Sequence, residues 1–306
     1  MDKSAVTGAT TNTATWIGFA AVLMWALLAI LTAASGAVPP FQLNALSFAV
    51  GTAVGFLWMA MTGRWRDLVQ PLRVWALGVV GLFGYHALYF TALRNAPPIE
   101  AGLIAYLWPL LIVIFSAALP GERLRWFHIA GGLLGFLGAA LIVTRGASLS
   151  FEARHGAGYL AAVACALTWS SYSVLSRRNA TVPTGAVVGF CAAAALLSVP
   201  FHLALETTVW PRGGGEWAAV LGLGLMPVGA AFYVWDIGVK RGNIQLLGVL
   251  SYAAPLLSTV ILILFGYGVF TWQVAAAALL ITLGALTASR ALRIPTRSGK
   301  EASAGR

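Results

Sequence analysis

Tyr106-Leu107-Trp108-Pro109-Leu110-Leu111 is answered by Tyr252-Ala253-Ala254-Pro255-Leu256-Leu257, 146 residues further on and likewise inside a long apolar run. At the same offset Gly102 matches Gly248, Arg94 matches Lys240, Trp126 matches Trp272 and Gly138 matches Gly284, so the register holds from one apolar segment to the next. The chain reads as a duplication. A repeat of this kind within a membrane is the plan of many secondary transporters.

Composition puts the repeat in lipid. Apolar residues make up 59% of the 306, charged residues only 9%, and 34 glycines and 12 tryptophans accompany them; a soluble domain carries far more charge. Against the roughly 20 residues a helix needs to cross the hydrocarbon core, ten spans are expected: 15–35, 42–62, 73–93, 98–118, 126–145, 156–177, 184–204, 216–237, 244–265 and 270–290. Alternating strand patterns are absent, so helices must satisfy the backbone. The expected fold is an all-α membrane protein. Residues 1–14 form a polar N-terminal segment, 15–145 and 156–290 two five-helix repeats, and 294–306 a polar, basic, disordered tail. No cleavage site follows the first apolar run, which is expected to be retained.

The net charge of +10 does not call for nucleic acid, because the basic residues sit in the connectors. With a cytoplasmic N-terminus, fifteen of the 19 lysines and arginines fall on the cytoplasmic side, and only Arg94, Arg145, Arg154 and Arg212 on the other. The positive-inside rule then puts both termini in the cytoplasm. Five spans per half is an odd number, so the second half enters the membrane from the opposite side. The duplication is therefore inverted, and the natural binding site lies between the halves near the midplane.

Short helices, Pro97-Pro98 opening the fourth span, Ala101, Pro109, the Gly121-Glu122-Arg123-Leu124 turn and the glycines at 131 and 138 resemble the drug/metabolite transporter superfamily, EamA type. The likeness covers nearly the whole chain, and overall similarity with aromatic richness brings it nearest to the bacterial aromatic amino acid exporters. The resemblance implies a multi-pass inner-membrane transporter that exports aromatic and other neutral amino acids by alternating access. One departure stands out: Gly268 occupies the position that Glu122 holds in the first half.

Several residues could meet a substrate. Gly102, Tyr106 and Pro109 fall within about 60° of helical arc, and Gly248, Tyr252 and Pro255 repeat that face. The prolines and glycines suit hinges or gates, and ordinary kinked packing is the plainer alternative. In the third span Tyr85, His86 and Tyr89 share about 100° of arc; His86 could donate to a substrate carboxylate or bond a neighbouring helix. Trp169, Tyr172 and Ser173 share an arc of the sixth span, and Trp25 is the repeat counterpart of Trp169 at an offset of 144. Trp108 is a weaker candidate because it points away from the Gly102 face. Ser251, standing where the first half has Ala105, makes the lining asymmetric. Any of the tryptophans could instead face lipid.

Asp236 and Lys240 are spaced for an i,i+4 ion pair, and no acidic residue falls in mid-span. Cys165 and Cys191 read as small apolar residues, and no metal or cofactor is expected. His-Glu-x-x-His and Gly-x-Ser-x-Gly are both missing, which argues against an enzyme. The partners expected are a small-molecule substrate and membrane lipid, with the chain read as a monomer. The second reading is a phosphorylated-metabolite or drug antiporter, whose phosphate clamps would need basic residues within the spans; here they lie at the ends.

Overall fold

A computed structural model describes residues 3–147 and 149–290. Every regular element among them is helical, and ten helices are long and apolar enough to cross a membrane. They are α1 (Thr10–Ala34), α2 (Pro40–Thr62), α3 (Leu72–Asn95), α4 (Pro98–Ala118), α5 (Trp126–Thr144), α6 (Ala153–Arg178), α7 (Ala186–Leu205), α8 (Gly214–Arg241), α9 (Ile244–Leu264) and α10 (Trp272–Ser289). The expected spans correspond one to one. At the N-terminus the segment expected to precede the first span is itself helical from Lys3 onward. The tail at 294–306 lies outside the described residues.

Four of the ten helices are broken at places that recur through the chain. α3 contains a π-turn at Val80–Gly84 and α8 another at Met226–Ala230, 146 residues apart. α4 breaks at 106–107 and α9 at 251–252. The cause is Pro109 and Pro255: each lacks an N–H, and each ring crowds the carbonyl four residues back, at Ala105 and Ser251. At α9 the Ala254 N–H donates to the Ser251 carbonyl at 3.1 Å in place of the missing bond, and the Ser251 hydroxyl donates to the Leu247 carbonyl at 2.7 Å.

Antiparallel pairs hold the bundle together through small residues, as helices must where lipid removes most of the hydrophobic drive. On α5 and α10 a Cβ at Gly131 would stand 2.6 Å from the Gly284 carbonyl oxygen, and one at Gly138 3.0 Å from that of Ala277. The 146-residue offset converts the first of these contacts into the second. α1 crosses α8 where Gly18 meets Gly238, and α3 crosses α6 where the Tyr172 ring lies on Gly81. Asn44 of α2 donates to Ser198 of α7 at 2.8 Å. Gly51 of α2 packs against Gly229 of α8.

Charged clusters sit at the two ends. The basic end is the one that carries the loops after α2, α4, α6 and α8. There Arg177 of α6 donates to the carbonyls of Val239 (3.0 Å) and Gly242 (2.7 Å) and pairs with Glu122. Asp236 and Lys240 form the i,i+4 pair at 2.8 Å, with Thr184 donating to the same carboxylate. At the opposite end buried Glu206 accepts from Arg94 at 2.8 Å and from the Phe41 and Gln42 N–H groups that open α2.

Candidate functional site

Between the helices lies a cavity of about 140 Å³. α3 contributes Tyr85, His86 and Tyr89; α4 contributes Ala105, Tyr106 and Trp108; α6 contributes Trp169. Trp25 and Leu28 reach it from α1, Pro227, Val228 and Phe232 from α8, and Ala254 from α9. None of these carries a formal charge. The α8 π-turn supplies Pro227 and Val228 and the α4 break supplies Tyr106, while Tyr85 follows directly on the α3 π-turn.

The wall is an aromatic lattice. The Trp25 ring stands edge-on to Trp108 (6.0 Å between centroids) and Trp169 (5.7 Å) and tilts against Trp235 at 5.1 Å. Tyr85 and Tyr89 lie parallel at 6.2 Å. Phe232 stacks on Phe48 at 5.5 Å, and the His86 ring meets Phe48 edge-on at 5.3 Å. Two indoles are anchored: Trp25 donates its N–H to the Pro227 carbonyl at 3.1 Å, and Trp235 donates to Ser173 Oγ at 3.1 Å. The hydroxyls of Tyr85, Tyr89 and Tyr106 and the indole N–H groups of Trp108 and Trp169 have no bonding partner among the described residues, and they are not sealed in the packed interior. They are the polar groups left to a ligand.

Seven of the residues read from the sequence meet at this wall: Trp25, Tyr85, His86, Tyr89, Tyr106, Trp108 and Trp169. Trp108 enters despite the arc reading, because the break at 106–107 rotates the second half of α4 against the first. Tyr172, Ser173, Ser251 and Tyr252 are elsewhere. Tyr172 is packed on Gly81 of α3. Ser173 sits behind the wall as the acceptor for Trp235, and Ser251 is fully buried on its own helix. Tyr252 is turned from the cavity onto Gly135, where its hydroxyl accepts from the Leu110 N–H at 3.2 Å. It thereby satisfies a free donor in the first turn after the α4 break.

The matched glycines and prolines behave unequally. A Cβ at Gly248 would stand 3.0 Å from the Pro109 carbonyl oxygen, so α4 and α9 touch at the basic end. The corresponding pair is apart: within 4 Å a Cβ at Gly102 would meet only Val143, at 3.8 Å, and not Pro255. Phe232 and Trp235 were not picked out from the sequence. At the repeat offset they stand opposite His86 and Tyr89, and that signal would have found them.

Among the described residues no three His, Cys, Asp or Glu side chains cluster as metal ligands. Fold and site together define a multi-pass membrane protein with an uncharged aromatic cavity between its helices. The model of the EamA-like transporter family matches residues 12–144 and again 156–290. The chain belongs to the EamA-like transporter family. It is 54% identical to the aromatic amino acid exporter YddG of Ancylobacter novellus, over 91% of this chain and 97% of that one. The Salmonella typhimurium protein of the same name is 24% identical over 90% of this chain and 97% of its own. A solved crystal structure superposes with a TM-score of 0.88 at 53% identity, covering 93% of this chain and all of the other.

Proposed function

We propose that this chain exports aromatic amino acids, and other neutral amphipathic metabolites of similar size, across the bacterial inner membrane by alternating access. The observation that carries the reading is the cavity wall: rings on every side, unpaired hydroxyl and indole donors, and no lysine, arginine, aspartate or glutamate. Burying a ligand ring against such a wall is worth roughly 3 kcal/mol. The two poles of a zwitterion find hydrogen bonds there. The relatives from Ancylobacter novellus and Salmonella typhimurium, both aromatic amino acid exporters, agree with this assignment.

The second reading, a phosphorylated-metabolite antiporter, asks for cations in the wall to offset several kcal/mol of desolvation per ionic group. Lys240 and Arg177 are already engaged at the basic end, which counts against it.

The transport cycle follows from an inverted five-plus-five repeat with both termini in the cytoplasm. The basic end is then cytoplasmic, and the contact of Gly248 with Pro109 closes the cavity towards the cytoplasm. Loading from the cytoplasm requires α4 and α9 to part there, and the twofold relation between halves has Gly102 and Pro255 close at the other end in exchange.

Purified protein in liposomes, offered labelled tryptophan, phenylalanine, threonine, a sugar phosphate and a cationic drug with and without a pH gradient, tests this directly. Saturable flux of the aromatic amino acids is expected, and preferential flux of the sugar phosphate would overturn the assignment.

A further inference from the structure

His86 is the imidazole in the cavity wall. The sequence alone leaves it able to donate to a substrate carboxylate, but its geometry reverses that polarity. His86 Nδ1 lies 2.7 Å from the Leu82 carbonyl oxygen. A carbonyl only accepts, so Nδ1 carries the proton, and the uncharged ring is left with Nε2 as an acceptor and nothing else. An imidazolium, which would donate from both nitrogens, has no counter-ion: the ring meets Phe48, Phe90, Phe232 and Tyr85, and no carboxylate lines the cavity. A buried charge without a partner is strongly disfavoured.

The opposite polarity lies further along the wall. Trp108 and Trp169 can only donate, and their N–H groups are uncommitted, whereas that of Trp25 is spent on Pro227. Tyr85 lies between the poles, 5.2 Å from the His86 ring and 5.4 Å from Trp169. We propose that His86 Nε2 accepts a hydrogen bond from the α-ammonium group of the substrate while the Trp108 and Trp169 indoles donate to its carboxylate. The substrate is thus held in one orientation, and a ligand lacking the free amine binds more weakly than tryptophan but still competes through its carboxylate. This rests on the aromatic amino acid reading above.

The test is competition against labelled tryptophan uptake in proteoliposomes, with tryptamine as the ammonium-only probe and indole-3-propionate as the carboxylate-only probe. His86→Asn keeps an amide donor near the Nδ1 position and leaves no acceptor at the Nε2 position, its amide oxygen falling short of that reach; His86→Phe removes both. A hydrogen bond to a charged group is worth roughly 1.5–3 kcal/mol, so each variant should weaken tryptophan and tryptamine by about tenfold to a hundredfold and leave indole-3-propionate within about twofold. Trp169→Phe should do the converse. Elution as a monodisperse peak establishes that each variant is folded.

If His86→Asn weakens indole-3-propionate more than tryptamine, or shifts all three ligands alike, the proposal is overturned while the transport assignment stands. Failure of tryptamine to compete in the wild type has the same meaning. If the wild type takes up no tryptophan, the transport assignment fails and this inference falls with it.

Discussion

Replacing Gly248 with alanine asks whether the touching of α4 and α9 is a working gate. The added methyl would stand 2.9 Å from Val113 Cγ2 and 3.0 Å from the Pro109 carbonyl oxygen. The second of these is backbone, so α4 has to yield by a few tenths of an ångström. Overpacking of this kind costs about 1–3 kcal/mol. Borne only by the conformation closed at the basic end, that shifts the balance between conformations by about 5- to 150-fold. Gly102→Ala is the matched control: its methyl meets only Val143 at 3.8 Å, an ordinary contact. Both changes gain the same helix propensity, up to about 1 kcal/mol. Spin labels at exposed Ala117 and Arg241, in a background with Cys165 and Cys191 replaced, would report the opening as a longer distance in Gly248→Ala alone, accompanied by slower tryptophan flux. Equal distance distributions and equal flux in the two variants would refute the gate.

Three further outcomes are expected. Arg177→Met, which removes two carbonyl contacts and the Glu122 pair together, should lengthen the same label distance more than Glu122→Gln, which spares the carbonyls. Tyr252→Phe leaves the Leu110 N–H without its acceptor and should lower stability by about 1–3 kcal/mol, seen as a lower melting temperature, with tryptophan competition unchanged; Tyr106→Phe should show the reverse. Changing Pro109 and Pro255 together to alanine restores the interrupted helix bonds and should slow turnover more than it weakens tryptophan binding, as separate flux and scintillation-proximity binding measurements would reveal.

The spans were legible because lipid leaves the backbone one economical solution, and apolar length alone then marks each helix. The cavity was legible where the residues share one regular stretch, as Tyr85, His86 and Tyr89 do within Tyr85–Asn95, beyond the α3 π-turn. Counting 100° per residue through the 106–107 break misplaced Trp108, because broken bonding no longer preserves phase. Symmetry misled at Tyr252: the same residue at the matched position caps a helix in one half and faces the cavity in the other. The rotamer that separates the two depends on Gly135, a residue on another helix, which no local pattern reveals. Polarity at His86 was equally hidden, since it turns on which ring nitrogen meets the Leu82 carbonyl.

The want of formal charge in the cavity wall has an electrical consequence. Each elementary charge carried across the membrane is worth about 2.3 kcal/mol per 100 mV, and a carrier whose moving wall bore a lysine or aspartate would work with or against the membrane voltage on every cycle. Here the thirteen lining residues are uncharged, and a zwitterionic amino acid would add no net charge to them. The loaded cavity can reverse its opening with no net charge displaced, so the voltage leaves the step untouched.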